Sequence, residues 1–161
     1  DTARIIENAI MNGYTVAWGG DVSEEGFTRQ GLAYFYDTKK MESLAGSDMA
    51  HWLKLPKAKK TNLIDSLGVN VPELVPTQEQ RQQRFDNWEL TDDHGMLIFG
   101  IAKDQNGTKY YITKNSWGTD RNDFGGYLNM SESYVRAKTI YVLVHKDALS
   151  KDMKKKLGLA D

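Results

Sequence analysis

Residues 110–130 read YYITKNSWGTDRNDFGGYLNM. An apolar strand ends in Lys114-Asn115-Ser116-Trp117-Gly118, a polar loop follows, and a second strand restarts at Gly126-Tyr127-Leu128. An ordinary hairpin does not need an amide followed two residues later by an indole. Both stand at one strand end.

The preceding segment supplies a partner. HGMLIFGIAKD, residues 94–104, reads as a strand, and Asn106-Gly107 predicts a type I′ hairpin turn, which needs positive φ at both central residues. His94 lies 12 residues before Asn106, and Asn115 lies 8 after Gly107. A strict two-residue hairpin would pair position 98 with position 115, so a bulge or a longer loop is expected. Both residues still fall at the end of the hairpin far from the turn. An amide oxygen there can accept an imidazole N–H and fix its tautomer, the orienting role in a nucleophile–base–orienter arrangement. Trp117 can shield that bond from water, where a low dielectric strengthens it. The competing reading of the same spacing is two polar residues on neighbouring strand ends and nothing more.

The remaining elements are read from pattern. GYLNMS (126–131) and TIYVLVHK (139–146) predict two more strands, so the second half forms a small antiparallel sheet or barrel. Residues 2–12 predict a helix with Ile5, Ile6, Ala9 and Ile10 on one face, stopped by Asn12-Gly13. YTVAWG (14–19) reads as a buried strand and GLAYFYD (31–37) as a short one. Residues 38–90 are the least regular. Ser47 is a candidate cap for a helix over 47–55, a short helix falls within 61–76, and Thr77-x-x-Gln80 predicts a capping box.

The whole chain sets bounds. Its 161 residues suit one modest domain with a real core. A net charge of −1 gives no basic field for nucleic acid, and no apolar run approaches the ~20 residues of a membrane span. The helix pattern begins at once, with no signal peptide and with an abruptness that suggests a piece of a longer chain. There is no cysteine, hence no disulfide and no cysteine-held metal. TDRNDFGG fails the calcium-loop spacing because Phe124 occupies a ligand position, and it reads as a polar loop. The lysines at 54, 57, 59 and 60, joined by those at 154–156, read as a solvated face, and nucleic acid is not the expected partner. The sequons at Asn106 and Asn129 fall in a turn and a strand and read as structure. His51 reads as helix packing, and neither it nor His145 is assigned a role.

Residues 91–132, TDDHGMLIFGIAKDQNGTKYYITKNSWGTDRNDFGGYLNMSE, resemble the second half of a papain-fold cysteine peptidase, nearly letter for letter and in order. The group most resembled is the bleomycin hydrolase and aminopeptidase C family. AIMNGYTVAWGGDV (9–22) resembles its strand before the histidine, segment 38–90 its insertion, and IYVLVHKDAL (140–149) its last strand. The resemblance implies an α+β fold, a papain-like C-terminal antiparallel β-barrel half with flanking helices, spanning 1–161 with an insertion at about 38–90. It implies His94 as general base and acid, Asn115 as its orienter, Trp117 as cover and Asp93 as electrostatic neighbour. It implies a peptide substrate, no cofactor and no metal, a helical N-terminal half as partner, and a possible homohexamer. A cytoplasmic location is the default expectation. In that family the C-terminal tail lies in the active cleft, where KKKLGLAD would sit.

The departure is the nucleophile. The family's cysteine and its oxyanion-hole glutamine lie in the other half, and no cysteine occurs here. A C-terminal fragment of a cysteine-type aminopeptidase is therefore expected, inactive by itself. The alternative is a non-catalytic papain-fold subunit that binds or supports without a nucleophile.

Overall fold

A computed structural model describes residues 1–24, 26–28, 30–44 and 54–159. The candidate helix at 47–55 with His51, and the last residue, Asp161, fall wholly or largely outside them. The chain starts with α1 (Thr2–Met11) and β1 (Val16–Gly20), then β2 (Leu32–Ala33) and α2 (Thr38–Leu44). Helix α3 (Lys57–Leu67), a 3₁₀ turn (Gly68–Asn70) and α4 (Gln78–Asp86) lead to β3 (His94–Lys103) and β4 (Lys109–Lys114). β5 (Tyr127–Ser131), α5 (Glu132–Lys138), β6 (Thr139–Leu143), a second 3₁₀ turn (Lys146–Ala148) and α6 (Lys151–Lys156) complete it.

The strands form one six-stranded sheet in the order β2-β5-β4-β3-β1-β6. The class is α+β, as expected, but the sheet does not close into the expected barrel, because β2 and β6 stand at opposite edges. β2 also runs parallel to β5, while every other pair is antiparallel. GLAYFYD gives only two ladder residues, because the backbone beyond them bonds elsewhere. Tyr34 N–H donates to the Gly26 carbonyl at 2.9 Å, and Phe35 N–H to the Glu73 carboxylate at 2.9 Å.

β1 is central and buried, as its β-branched and aromatic residues suggest, and pairs with β3 and β6. One face of the sheet carries Val16, Trp18, Met96, Ile98, Tyr111, Leu128 and Met130 into the core. Ile6 and Ala9 of α1 and Tyr134 and Val135 of α5 cover it. A smaller cluster, Tyr34, Met41, Ile64, Val71 and Tyr110, is where segment 38–76 meets the sheet. The other face of the sheet leaves Leu97, Phe99, Tyr127, Tyr141 and Leu143 between 39% and 70% exposed.

Two local readings change. The β3–β4 turn is a five-residue loop in which only Gly107 has positive φ (84°), so Asn106 is not the second left-handed residue of a type I′ turn. Asp104 does the work instead, its carboxylate accepting the amides of Asn106 and Thr108 at 2.8 and 2.9 Å. The expected bulge is present, between Ile98 and Gly100. Helix α5, between β5 and β6, was not read from the sequence. Its signals are an N-cap at Ser131, which accepts the Tyr134 amide at 3.0 Å, and Glu132 four residues before Arg136.

Candidate functional site

Ladder geometry brings His94 and Asn115 together. His94 opens β3 opposite Gly20 of β1, and Asn115 follows the last residue of β4. The register runs Lys103↔Lys109 to Gly100↔Ile112, slips at the bulge, and resumes as Ile98↔Thr113 and Leu97↔Lys114. The slip brings the two strand ends into reach of each other. His94 Nε2 lies 2.9 Å from Asn115 Oδ1.

A second bond fixes the direction of the first. Ser116 N–H, which can only donate, points at the same Asn115 Oδ1 at 2.7 Å. That atom is therefore the carbonyl oxygen, and His94 Nε2 must carry the proton. In the neutral imidazole the lone pair is then on Nδ1, the nitrogen a general base uses. Asn115 is 3% exposed, so the bond is made in a largely dry place. Its Nδ2 is buried without a hydrogen-bond partner among the described residues. The polypeptide beyond Asn115 is held by Gly126, whose carbonyl accepts the Asn115 amide at 3.3 Å. Gly126 has φ of 81°, and a Cβ there would stand 2.1 Å from the Gly118 oxygen. Asn122 staples the intervening loop, donating to the Tyr127 carbonyl at 2.9 Å and accepting the Phe124 and Gly126 amides at 3.1 and 3.0 Å. The polar letters of TDRNDFGG thus build a loop.

Trp117 packs on the imidazole, ring centroids 5.3 Å apart at 42°. It remains 45% exposed, so its outer side is open. Phe27 meets the Trp117 ring edge-on at 5.6 Å and lies 6.2 Å from Tyr134, linking the site to the core. Nothing local in the sequence singled out Phe27. Asp93 is exposed, and its carboxylate accepts the Val22 amide at 3.0 Å while its own amide donates to the Gly20 carbonyl at 3.3 Å. Asp93 therefore ties the entry of β3 to the exit of β1, a structural part in addition to its charge beside the histidine. The exposed Leu97 and Phe99 lie on the sheet face opposite His94, since residues 94, 96 and 98 point one way and 95, 97 and 99 the other.

His145 is not at the site. It stacks on Tyr14 at 5.4 Å and accepts the Asp147 amide at 3.3 Å. Helix α6 lies beside the start of α1, with Arg4–Asp152 at 2.9 Å and Lys156–Asp1 at 3.4 Å.

Comparison with known proteins gives the family. The Peptidase C1-like family model matches residues 74–159, and the chain belongs to that family. Aminopeptidase C of Lactobacillus helveticus is 36% identical over 76 residues, 47% of this chain and 16% of that protein. Cathepsin L of Sarcophaga peregrina is 42% identical over 41 residues, 26% of this chain and 12% of that one. Fruit bromelain of Ananas comosus is 44% identical over 39 residues, 24% and 11%. The crystal structure of PepW from Lactobacillus rhamnosis HN001 superposes with a TM-score of 0.58 at 21% identity, covering 97% of this chain and 30% of PepW. The chain thus spans under a third of that structure and under a fifth of the curated relatives. No described helix is long and apolar enough to cross a membrane.

Proposed function

We propose that this chain is the histidine- and asparagine-bearing part of a cysteine-type aminopeptidase, spanning 1–161 with an insertion at about 38–90. The thiolate would come from residues outside it. The observation that carries the reading is the 2.9 Å bond from His94 Nε2 to an Asn115 oxygen whose identity the Ser116 amide fixes. Cysteine peptidase chemistry needs an imidazole with one nitrogen tethered and the other free to move a proton.

In this mechanism Nδ1 of His94 takes the proton of an incoming thiol, giving a thiolate and an imidazolium. The thiolate attacks the scissile carbonyl. The imidazolium then protonates the leaving amine through Nδ1, and the C–N bond breaks. In deacylation Nδ1 takes a proton from water, which attacks the thioester, and returns it to the departing sulfur. Asn115 keeps the ring in line through each transfer. Trp117 limits water at the imidazole, and Asp93 ties the entry of β3, on which the ring stands, to the exit of β1. Aminopeptidase rather than endopeptidase specificity rests on the name of the Lactobacillus helveticus relative, and the proposed partners are a peptide substrate and the thiol-bearing part of the same enzyme.

The test uses the full-length protein that contains this chain. It is expected to hydrolyse aminoacyl arylamides and to be labelled by a thiol-directed inhibitor, whereas the chain alone does neither. A full-length protein with no reactive thiol and no hydrolysis would instead indicate the non-catalytic subunit.

A further inference from the structure

Behind the His94 strand end lies a buried charge network that the proton relay does not use. Lys138, at the end of α5, and Asp21, just past β1, are each 1% exposed. Lys138 Nζ stands 3.5 Å from Asp21 Oδ2 and 2.8 Å from Glu24 Oε1, and Arg84 of α4 binds Glu24 at 2.8 Å. Burying an ammonium and a carboxylate carries a large desolvation cost, so such a pair is weak evidence of stabilisation. Its use is sought in what it holds.

The Asp21 carboxylate gathers two separate segments. Oδ1 accepts the amide and the hydroxyl of Ser23 at 2.9 and 2.8 Å, and Oδ2 accepts the Thr91 amide at 3.4 Å. Tyr134 donates its hydroxyl to the Asp21 carbonyl at 2.8 Å. Ser23 belongs to the exit of β1, and Thr91 to the entry of β3, three residues before His94. Burial by itself would push the Asp21 carboxyl up. The Ser23 bonds, the Lys138 charge and the Thr91 amide outweigh it and hold the carboxyl below its ordinary value. Backbone geometry is tight at the same place. A Cβ on Gly20, the register partner of His94, would stand 2.2 Å from the Lys138 carbonyl oxygen.

We propose that the buried Lys138–Asp21 pair is a positioning device for His94. Lys138 balances the Asp21 charge, and the Asp21 carboxylate ties the β1 exit to the β3 entry so that the imidazole stays in line with Asn115. This rests on the reading of His94 as the proton carrier. Without Lys138, Arg84 still balances Glu24, but the buried Asp21 carboxylate loses its paired cation. Asp21 then takes up a proton or turns away, and the Thr91 amide loses its acceptor. Neither Lys138 nor Asp21 touches the substrate, so both are positioning residues.

The test uses the full-length protein with Lys138→Met, Asp21→Asn, the double variant, and His94→Ala as control. Each single variant is expected to lower kcat about tenfold with KM changed less than about twofold, because the ring is misplaced and the binding surface is not. The double variant should also lose about tenfold rather than about 100-fold, since the two residues act as one unit. The ¹⁵N signal of His94 Nε2, which reports its bond to Asn115, should move by a similar amount in all three. Should Lys138→Met not fold, Asp21→Asn carries the test alone, because Lys138 keeps Glu24. A folded Asp21→Asn with wild-type kcat, or lowered kcat with an unmoved His94 signal, would overturn the proposal. Undiminished hydrolysis in His94→Ala would overturn the underlying reading, whatever the pair does.

Discussion

The sheet around β3 and β4 and the segment from residue 34 to 90 are built on different principles. In β3 the alternation is strong: Met96 and Ile98 are buried while Leu97 and Phe99 are 39% and 41% exposed. Slipping the register by one residue would turn the core face outward, so burial itself specifies where His94 stands. The described residues of segment 34–90 present no such face. Among its described residues Met41, Ile64 and Val71 pack with Tyr34 against Tyr110, Leu90 is buried separately, and α4 contains no fully buried residue. Single polar bonds to distant residues hold it. Arg81 donates to the Thr139 carbonyl at 2.8 Å, Arg84 pairs with Glu24, and Glu73 receives both the Phe35 amide and the Ser131 hydroxyl. One region is specified by pattern, the other by individual contacts.

If that division is right, the largest effects come from side chains the sheet presents, with little change in stability. His94→Ala in the full-length enzyme should lower kcat at least ~1,000-fold, since every proton transfer loses its carrier. Asn115→Ala should cost about 10–100-fold, because the imidazole remains but its tautomer and direction are no longer fixed. Steady-state kinetics on an aminoacyl arylamide, with circular dichroism on each variant, checks both. Equal and small losses would contradict the assigned roles.

The same division explains what could be read beforehand. Asn115, Trp117 and His94 were legible because a strand alternates with period 2 and a turn marker sets the distance between them. The bulge was legible as a mismatch in counting. The open sheet edge was not, because closure depends on whether β2 and β6 meet. Lys138 and Tyr134 were hidden because they lie more than a hundred residues from Asp21, and α5 was masked by its apolar neighbours. In 34–90 the capping box was legible as four letters. Glu73 was not, because its partners at Phe35 and Ser131 are distant in sequence.

Glu73 should dominate the pH dependence of that second region. Burial, with Asp104 nearby, pushes its carboxyl up from 4.5 to about 7, against the lowering effect of the Ser131 and Phe35 bonds. Both bonds arrive at Oε2, which leaves Oε1 to carry the proton. The folded state thus holds a proton that the unfolded chain releases near pH 4.5. The contribution to stability is full below about pH 4.5 and is lost as pH rises through about 7. Glu73→Gln keeps an oxygen for both bonds and removes the titration. It should match the parent near pH 4 and exceed it by on the order of 3 kcal/mol at pH 8. Denaturant unfolding across that range reads the difference. A gap independent of pH would mean that Glu73 does not titrate as a buried carboxyl.

The smallest expected effect tests whether the two regions are separable. Thr77 caps α4 in a full capping box, accepting the Gln80 amide at 3.2 Å while Gln80 Oε1 accepts the Thr77 amide at 2.9 Å. Thr77→Ala removes one of these bonds and should cost about 1 kcal/mol, a fall in Tm of about 3 °C. Because α4 has no fully buried residue, that loss should fall on α4 itself, with faster amide exchange at Arg81 and Arg84 than in β3. The catalytic effect should be absent, with kcat within about twofold of the parent, unless α4 reaches the site. A route exists on paper, since Arg84 binds Glu24, Glu24 binds Lys138 and Lys138 faces Asp21. Lys138 keeps Asp21 when Arg84 loosens, so the route should carry little. A Thr77→Ala variant that loses about tenfold in kcat while its Tm falls only as expected would join the two regions into one unit.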